Sequence, residues 1–329
     1  MVKGFVWCVA GLMLVAPIAA AEDEALMGLY EGEFTSGAWN GTALKVQMVA
    51  RGNGKFEAVF PFGPPGVRVS VDGAKKEKEA KDADFAGSVD LGSAMGGTYE
   101  VAARLADGVF AGEFSSAAVK CAFETKRVVR LSPTFDKKPP EGAVVLLDGS
   151  NLDAWERWPL KWNLTEEGAM EVCNSSLVTK EEFGDCEMHI EFRTPFMATS
   201  TGQGRGNSGV YVNGRYEVQI LDSFGIEPAD NLCGGIYQVA VPAADVCAPP
   251  LQWQTYDITF TAPRSDAGGK KTANARMTVV HNGVTIHDDL ELGDVTPGGV
   301  SGQESAAGCL LLQNHGNPVR FRNIWLVKK

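Results

Sequence analysis

The run Cys186-Glu187-Met188-His189-Ile190-Glu191-Phe192-Arg193 alternates apolar and polar side chains, the period of a strand with one face on a core and one away from it. Arg320-Phe321-Arg322-Asn323-Ile324-Trp325 repeats the pattern near the C-terminus. Between and before them, similar short runs cover 144–147, 169–173, 176–179, 209–212, 216–221, 254–261, 275–280, 284–290, 308–313 and 319–327, separated by glycine and proline turns. No segment holds a helical period beyond two turns. About ten short strands of this kind predict two packed antiparallel sheets over residues 143–329 rather than an alternating α/β domain.

The preceding stretch has the same character on a smaller scale. Runs at 44–49 and 56–60 flank Asn53-Gly54, a tight-hairpin pair. Further strands are expected at 87–91, 99–105, 109–114 and 118–130, with Asp107-Gly108 as a second hairpin turn. Residues 22–132 are therefore read as a small antiparallel β domain, within which the charge run 74–81 is a solvated loop or edge. Residues 133–142 contain Pro139-Pro140 and read as an extended linker. At the other end, 1–21 join Lys3 to an apolar run and close on Ala19-Ala20-Ala21. That is the pattern of a secretory signal peptide, and Pro17 and its short apolar core argue against a membrane span. The expected location is secreted or periplasmic, with no stable membrane insertion.

The formal charge is −11, and −12 once Lys3 leaves with the leader, which disfavours nucleic acid as a partner. Six cysteines then remain, Cys121, Cys173, Cys186, Cys233, Cys247 and Cys309. In an exported chain they permit up to three disulfides, and the short-loop pairs Cys173 with Cys186 and Cys233 with Cys247 are preferred. Their spacing does not fit a zinc framework.

Chemistry concentrates at Glu217-Val218-Gln219-Ile220-Leu221-Asp222. Strand alternation sends Glu217 and Gln219 to one face, whereas Asp222, five residues on, joins them only across a bulge. The surrounding motifs are Leu146-Leu147-Asp148-Gly149-Ser150-Asn151-Leu152-Asp153-Ala154-Trp155, Asn207-Ser208-Gly209-Val210-Tyr211, Gly234-Gly235-Ile236-Tyr237, Trp253-Gln254-Thr255-Tyr256 and Leu312-Gln313-Asn314-His315-Gly316-Asn317-Pro318 running on to Ile324. In that order they resemble the 3-keto-disaccharide hydrolase domain family over roughly 143–329. One position departs: Asn314 precedes His315-Gly316 where the family commonly carries Asp.

The resemblance implies a concanavalin-like jelly-roll β-sandwich in an otherwise all-β chain, and cleavage of glycosides oxidised at C3. A carbonyl at C3 acidifies the hydrogen on C2, so a base, an acid near the glycosidic oxygen and a donor or metal at the C3 oxygen suffice for elimination followed by hydration. Glu217, Asp222 and His315 are the expected catalytic groups, His315 as the base. Arg193, Asn207, Gln219, Gln313, Arg320 and Asn323 are candidate substrate contacts, and Trp158, Tyr211 and Tyr237 a candidate stacking wall. A divalent metal ion is a candidate cofactor through Glu217, Asp222 and His315. The loop Gly202-Gln203-Gly204-Arg205-Gly206 lacks a dinucleotide-binding context and reads as a rim loop beside a groove. The competing reading is a noncatalytic carbohydrate-binding or cell-envelope module.

Overall fold

The computed structural model describes residues 23–62, 67–77, 79–156 and 162–329. The leader at 1–21 and Trp158 lie outside the described residues. Apart from single helical turns, the regular structure is β throughout.

The N-terminal region is a closed antiparallel barrel of eight strands in sequence order: β1 (Gly28–Phe34), β2 (Ala43–Gly52), β3 (Lys55–Phe62), β4 (Val67–Ala74), β5 (Asp82–Asp90), β6 (Thr98–Ala106), β7 (Val109–Ser115) and β8 (Lys120–Val128). Closure comes from β1 pairing with β8, which removes the free edges that a small open sheet would present. The strand reading missed β1 and β4 and therefore the closure. Inward positions carry Tyr30, Phe34, Phe56, Phe60, Phe110, Phe114 and Phe123, all buried, and their rings meet edge-on, as Phe60 and Phe114 do at 5.1 Å between centroids. Aromatic side chains thus make up much of the barrel core. The charge run is not wholly solvated either, because Lys75 turns inward to pair with Asp23 at 3.0 Å.

The second region contains β9 (Val144–Leu147), β10 (Asn163–Leu164), β11 (Met170–Glu171), β12 (Leu177–Val178), β13 (Cys186–Arg193), β14 (Ser208–Val212), β15 (Tyr216–Ile220), β16 (Gln254–Thr261), β17 (Arg264–Ser265), β18 (Lys271–Ala273), β19 (Ala275–His281), β20 (Val284–Leu292), β21 (Leu311–Leu312) and β22 (Arg320–Lys328). A large sheet runs β10-β11-β22-β13-β16-β19-β20, with β9 also on β22, and a small one runs β12-β21-β14-β15. The two share one apolar core. Met188, Ile190 and Phe192 enter it from β13, and Val210, Val212, Val218 and Ile220 from β14 and β15. The odd-numbered residues of those strands therefore face outward, on opposite sides of the core.

The linker departs from the extended spacer its prolines suggest. Residues 132–138 turn and dock on the outer face of the large sheet, where Thr134 Oγ1 donates to Asp257 Oδ2 at 2.6 Å. The Asp136 amide donates to Glu191 Oε1 at 2.6 Å, and Asn323 Nδ2 donates to the Lys137 carbonyl at 3.0 Å. The segment after this strap, with Pro139-Pro140, is exposed and irregular. The reason is local: Glu191 and His189 need partners on that face, and the chain leaving the barrel supplies them.

All six cysteines are free thiols, which corrects both preferred disulfides. Cys186 points into the core from β13 while Cys173 sits partly exposed, because loop length does not govern which way two side chains face. Cys233 and Cys247 do adjoin as buried thiols, Cys233 also contacting the Tyr256 hydroxyl at 3.4 Å.

Candidate active site

On the outer face of the small sheet, a cavity of about 120 Å³ is lined by Gln203, Asn207, Tyr211, Glu217, Gln219, Tyr237, Pro297, Gly298, Gln313 and His315. It is smaller than the several-hundred-Å³ range of whole-ligand sites, so it suits one sugar ring edge, with the rest of a glycoside outside.

Its floor is the hairpin β14–β15. In that ladder Tyr211 lies opposite Glu217 and Gly209 opposite Gln219. Glu217 is 2% exposed, and its Oε2 accepts the Tyr211 hydroxyl at 2.7 Å. Its Oε1 has no hydrogen-bond partner. Burial drives this carboxyl up from 4.5 to about 7, against the opposing pull of the Tyr211 hydrogen bond. The same Tyr211 hydroxyl lies 2.9 Å from the Pro297 carbonyl, and one proton cannot serve both acceptors. When Glu217 is ionised, Tyr211 donates to it; when Glu217 is protonated, it can donate to Tyr211, whose own proton turns to Pro297. The Tyr211 contact therefore persists in both charge states without moving the backbone, while Oε1 stays unpartnered. Gly209 makes room for this, since a Cβ there would stand 2.2 Å from Glu217 Oε1.

The walls come from three loops. Gln313 Nε2 donates to the Tyr211 hydroxyl at 3.2 Å, and Gln203 Oε1 accepts from Asn207 Nδ2 at 3.0 Å and from Gln219 Nε2 at 3.2 Å. The Asn207 amide donates to Asn317 Oδ1 at 2.7 Å, tying this wall to the turn that carries His315. That turn is closed by Asn314 Oδ1, which accepts the Gly316 amide at 2.9 Å. Asn314 thus acts as a neutral oxygen acceptor in an Asx turn, and the turn needs no charge at that position. His315 is exposed at the rim. A third loop delivers Tyr237, whose amide donates to the Glu217 carbonyl at 3.1 Å.

Several expected residues are elsewhere. Strand β15 ends at Ile220 without a bulge, and Asp222 turns away from the pocket to meet Arg205 Nε at 2.6 Å. Burial pushes its carboxyl up and the Arg205 guanidinium holds it down. Arg193, Arg320 and Asn323 belong to the large sheet, across the core. Arg193 pairs with Glu167 at 2.6 Å and lies over Trp253; Arg320 pairs with Glu171 and Glu167; Asn323 holds Glu191 and the strap. Conversely, Pro297 and Gly298 enter the pocket with no sequence signal, and Gln203 comes from the loop read as a rim.

Among the described residues no cluster of three His, Cys, Asp or Glu side chains has metal-site geometry. The groups a hard cation would find here are Glu217 Oε1 and the amide oxygens of Asn207 and Gln313, each lacking a hydrogen-bond partner. Those same three oxygens are acceptors suited to sugar hydroxyls.

Residues 142–327 match the family of 3-keto-alpha-glucoside-1,2-lyase-like domains. The chain belongs to this family. It is a glycoside-cleaving enzyme of the hydrolase or lyase type, acting on 3-keto sugars. A crystal structure of a candidate glycosyl hydrolase from Parabacteroides distasonis is similar at 35% identity with a TM-score of 0.54, over 58% of this chain and 85% of that one. A second candidate from the same organism is 21% identical with a TM-score of 0.41, over 56% of this chain and 98% of that one. No curated protein matches the chain.

Proposed function

We propose that the pocket on the small sheet cleaves the glycosidic bond of a 3-keto glycoside by elimination followed by hydration, with Glu217 as the acid and His315 as the base. The observation that carries this reading is the buried Glu217 carboxyl, which lines the cavity, is raised to about 7 and keeps one oxygen without a hydrogen-bond partner. A carboxylic acid that still holds its proton near neutral pH can deliver it to a leaving oxygen. His315 takes the proton from C2 of the ring. The electron pair of that C–H bond moves toward the C3 carbonyl oxygen and returns to form the C1–C2 double bond as the C1–O bond breaks. Gln313 and Asn207 hold ring hydroxyls through their unpartnered oxygens, and Tyr237 stands beside the ring at the rim. Water then adds across the double bond to give the free 3-keto sugar. A divalent ion held by the amide oxygens of Asn207 and Gln313 would polarise the carbonyl; the proton transfers here belong to the side chains.

The architecture proposed for residues 143–329 is a concanavalin-like jelly roll, supported by two antiparallel sheets around one core. An exported location is supported by the leader pattern in 1–21, and no helix among the described residues is long and apolar enough to cross a membrane.

The test is incubation of the protein with matched 3-keto and unoxidised disaccharides, products identified by mass and NMR. Consumption of the keto compound alone with a transient enone supports the scheme. His315→Ala is expected to lower kcat by about 10²-fold or more; full turnover by that variant removes His315 from the base role, and tight binding without any product favours a noncatalytic module.

A further inference from the structure

Besides its aromatic core, the barrel has a buried patch on its outer face. Outward positions of β2 and β3 present Val49 and Val59, which form a small apolar cluster with Phe224 from the second region. The fit is close: Gly225 follows with φ +84, and a Cβ there would lie 2.5 Å from Val49 Cγ2. Beside this contact, two arginines cross the boundary.

Arg205 is nearly fully buried. Its Nη1 donates to the barrel carbonyl of Ala50 at 3.3 Å and to that of Ala198 at 3.4 Å, while its Nε holds Asp222. Arg68, from β4, donates to Asp245 Oδ2 at 2.7 Å and to Glu227 Oε2 at 2.9 Å. Barrel residue Gln47 joins them, accepting from Arg68 Nη1 at 2.8 Å and donating to Asp245 at 3.1 Å.

The gripped segments are the ones that wall the pocket. Arg205 sits between Gln203 and Asn207. Glu227 and Asp245 bracket the segment carrying Tyr237, which lies along β15 through Gln219 N to Gly235 O and Gly234 N to Gln219 O, both 2.9 Å. Residues 201–207 hold one short helical turn, and 227–245 hold hydrogen-bonded turns and isolated bridges of Ile236 to Ala240 and Val218 but no strand, so contacts from outside add to the hold on their shape.

We propose that the N-terminal barrel is a brace for the catalytic pocket, with Arg205 and Arg68 as the positioning residues through which it sets Gln203, Asn207 and Tyr237. This rests on the pocket being the reactive site. A guanidinium suits the task because its planar fork reaches several acceptors at once, which a lysine ammonium on one stem does not reproduce.

The experiment uses the full chain carrying Arg68→Ala, Arg68→Lys or Arg205→Lys, read by amide hydrogen exchange and by steady-state kinetics. In Arg68→Ala, protection of peptides covering 233–238 is expected to fall about tenfold, and in Arg205→Lys that of 201–207, with β13 and β16 unchanged. KM for a 3-keto disaccharide is expected to rise about fivefold in each, with the Glu217 limb of the pH profile unmoved. Arg68→Lys should restore part of the loss. Wild-type protection of both loops, or loosening spread evenly over both sheets, would overturn the brace. Should Arg205→Lys fail to fold, Arg68→Ala decides, since Arg68 lies at the edge of the interface. If the unaltered protein turns over no 3-keto glycoside, the functional reading falls, and hydrogen exchange alone still decides the brace.

Discussion

Two buried glutamates sit on the two outer faces of the same pair of sheets, and their carboxyls shift in opposite directions. Glu191, fully buried, receives Arg322 Nε at 2.7 Å, Asn323 Nδ2 at 2.9 Å and the Asp136 amide at 2.6 Å, with His189 Nε2 at 3.4 Å. Although burial pushes it up, these donors hold its carboxyl below the ordinary range. Glu217 is equally buried but has Tyr211 alone, and burial wins. Burial raises the stakes for a charge; the number of donors decides its sign. One face is closed by a strap of the chain, and the other carries oxygens without hydrogen-bond partners around a cavity.

The largest effect expected from breaking this contrast is at Glu217. Glu217→Gln should lower kcat by about 10² to 10⁴-fold. It should also stabilise the fold at pH 8. Between 4.5 and about 7 the unfolded chain has released this proton while the folded one retains it, so rising pH erodes stability by up to about 3 kcal/mol that the amide does not lose. Denaturant titration at pH 4 and pH 8 measures the difference, and equal stability changes at both would contradict the raised carboxyl.

Glu191→Gln is the mirror image. Turnover should stay within a few-fold of wild type while unfolding free energy drops by about 2 to 3 kcal/mol, less than for a fully buried ion pair because Arg322 is partly exposed. A variant that loses activity while keeping its stability would make the large-sheet face functional.

Gly209→Ala narrows the test to geometry. The added methyl displaces Glu217 Oε1, and a fall in kcat of about 10 to 100-fold is expected with little change in thermal stability.

The smallest effect is at the strap. Burial alone would lower the His189 imidazole, but Asp257 and Glu191 raise it above the ordinary value, with Lys137 also facing Asp257 at 3.5 Å. A histidine raised on folding stabilises below its unfolded value, and that contribution fades as pH rises through the folded one. Hydrogen exchange of 132–138 should therefore quicken by about threefold, beyond the intrinsic change, as pH passes that point. Uncoupled exchange would show that the strap is held without His189.

The strands were largely legible, because period-two alternation survives wherever one face is buried. β13 and β16 have the bounds the alternation predicts, whereas β1 escaped because glycine and charge break its apolar run; β4 alternates valine with polar residues from Val67 to Asp72, so its signal was present in the sequence. Glu217, Gln219, Tyr211, Asn207, Tyr237, Gln313 and His315 do meet in one cavity. Asp222 failed for a parity reason: the expected bulge is absent, so an even-numbered position cannot join an odd-numbered face. Arg193 and Arg320 failed because an arginine alternating outward looks alike on either sheet.

Local pattern was enough to determine an all-β chain, its two regions and the strand that bears Glu217, since backbone periodicity acts over a few residues. Which outer face is sealed and which is open, that the barrel closes, and that Pro297, Gly298 and Gln203 share a cavity with Glu217 were decided by tertiary structure alone. Those outcomes depend on contacts between segments tens to hundreds of residues apart, and a carboxyl takes its charge from the donors that packing brings to it.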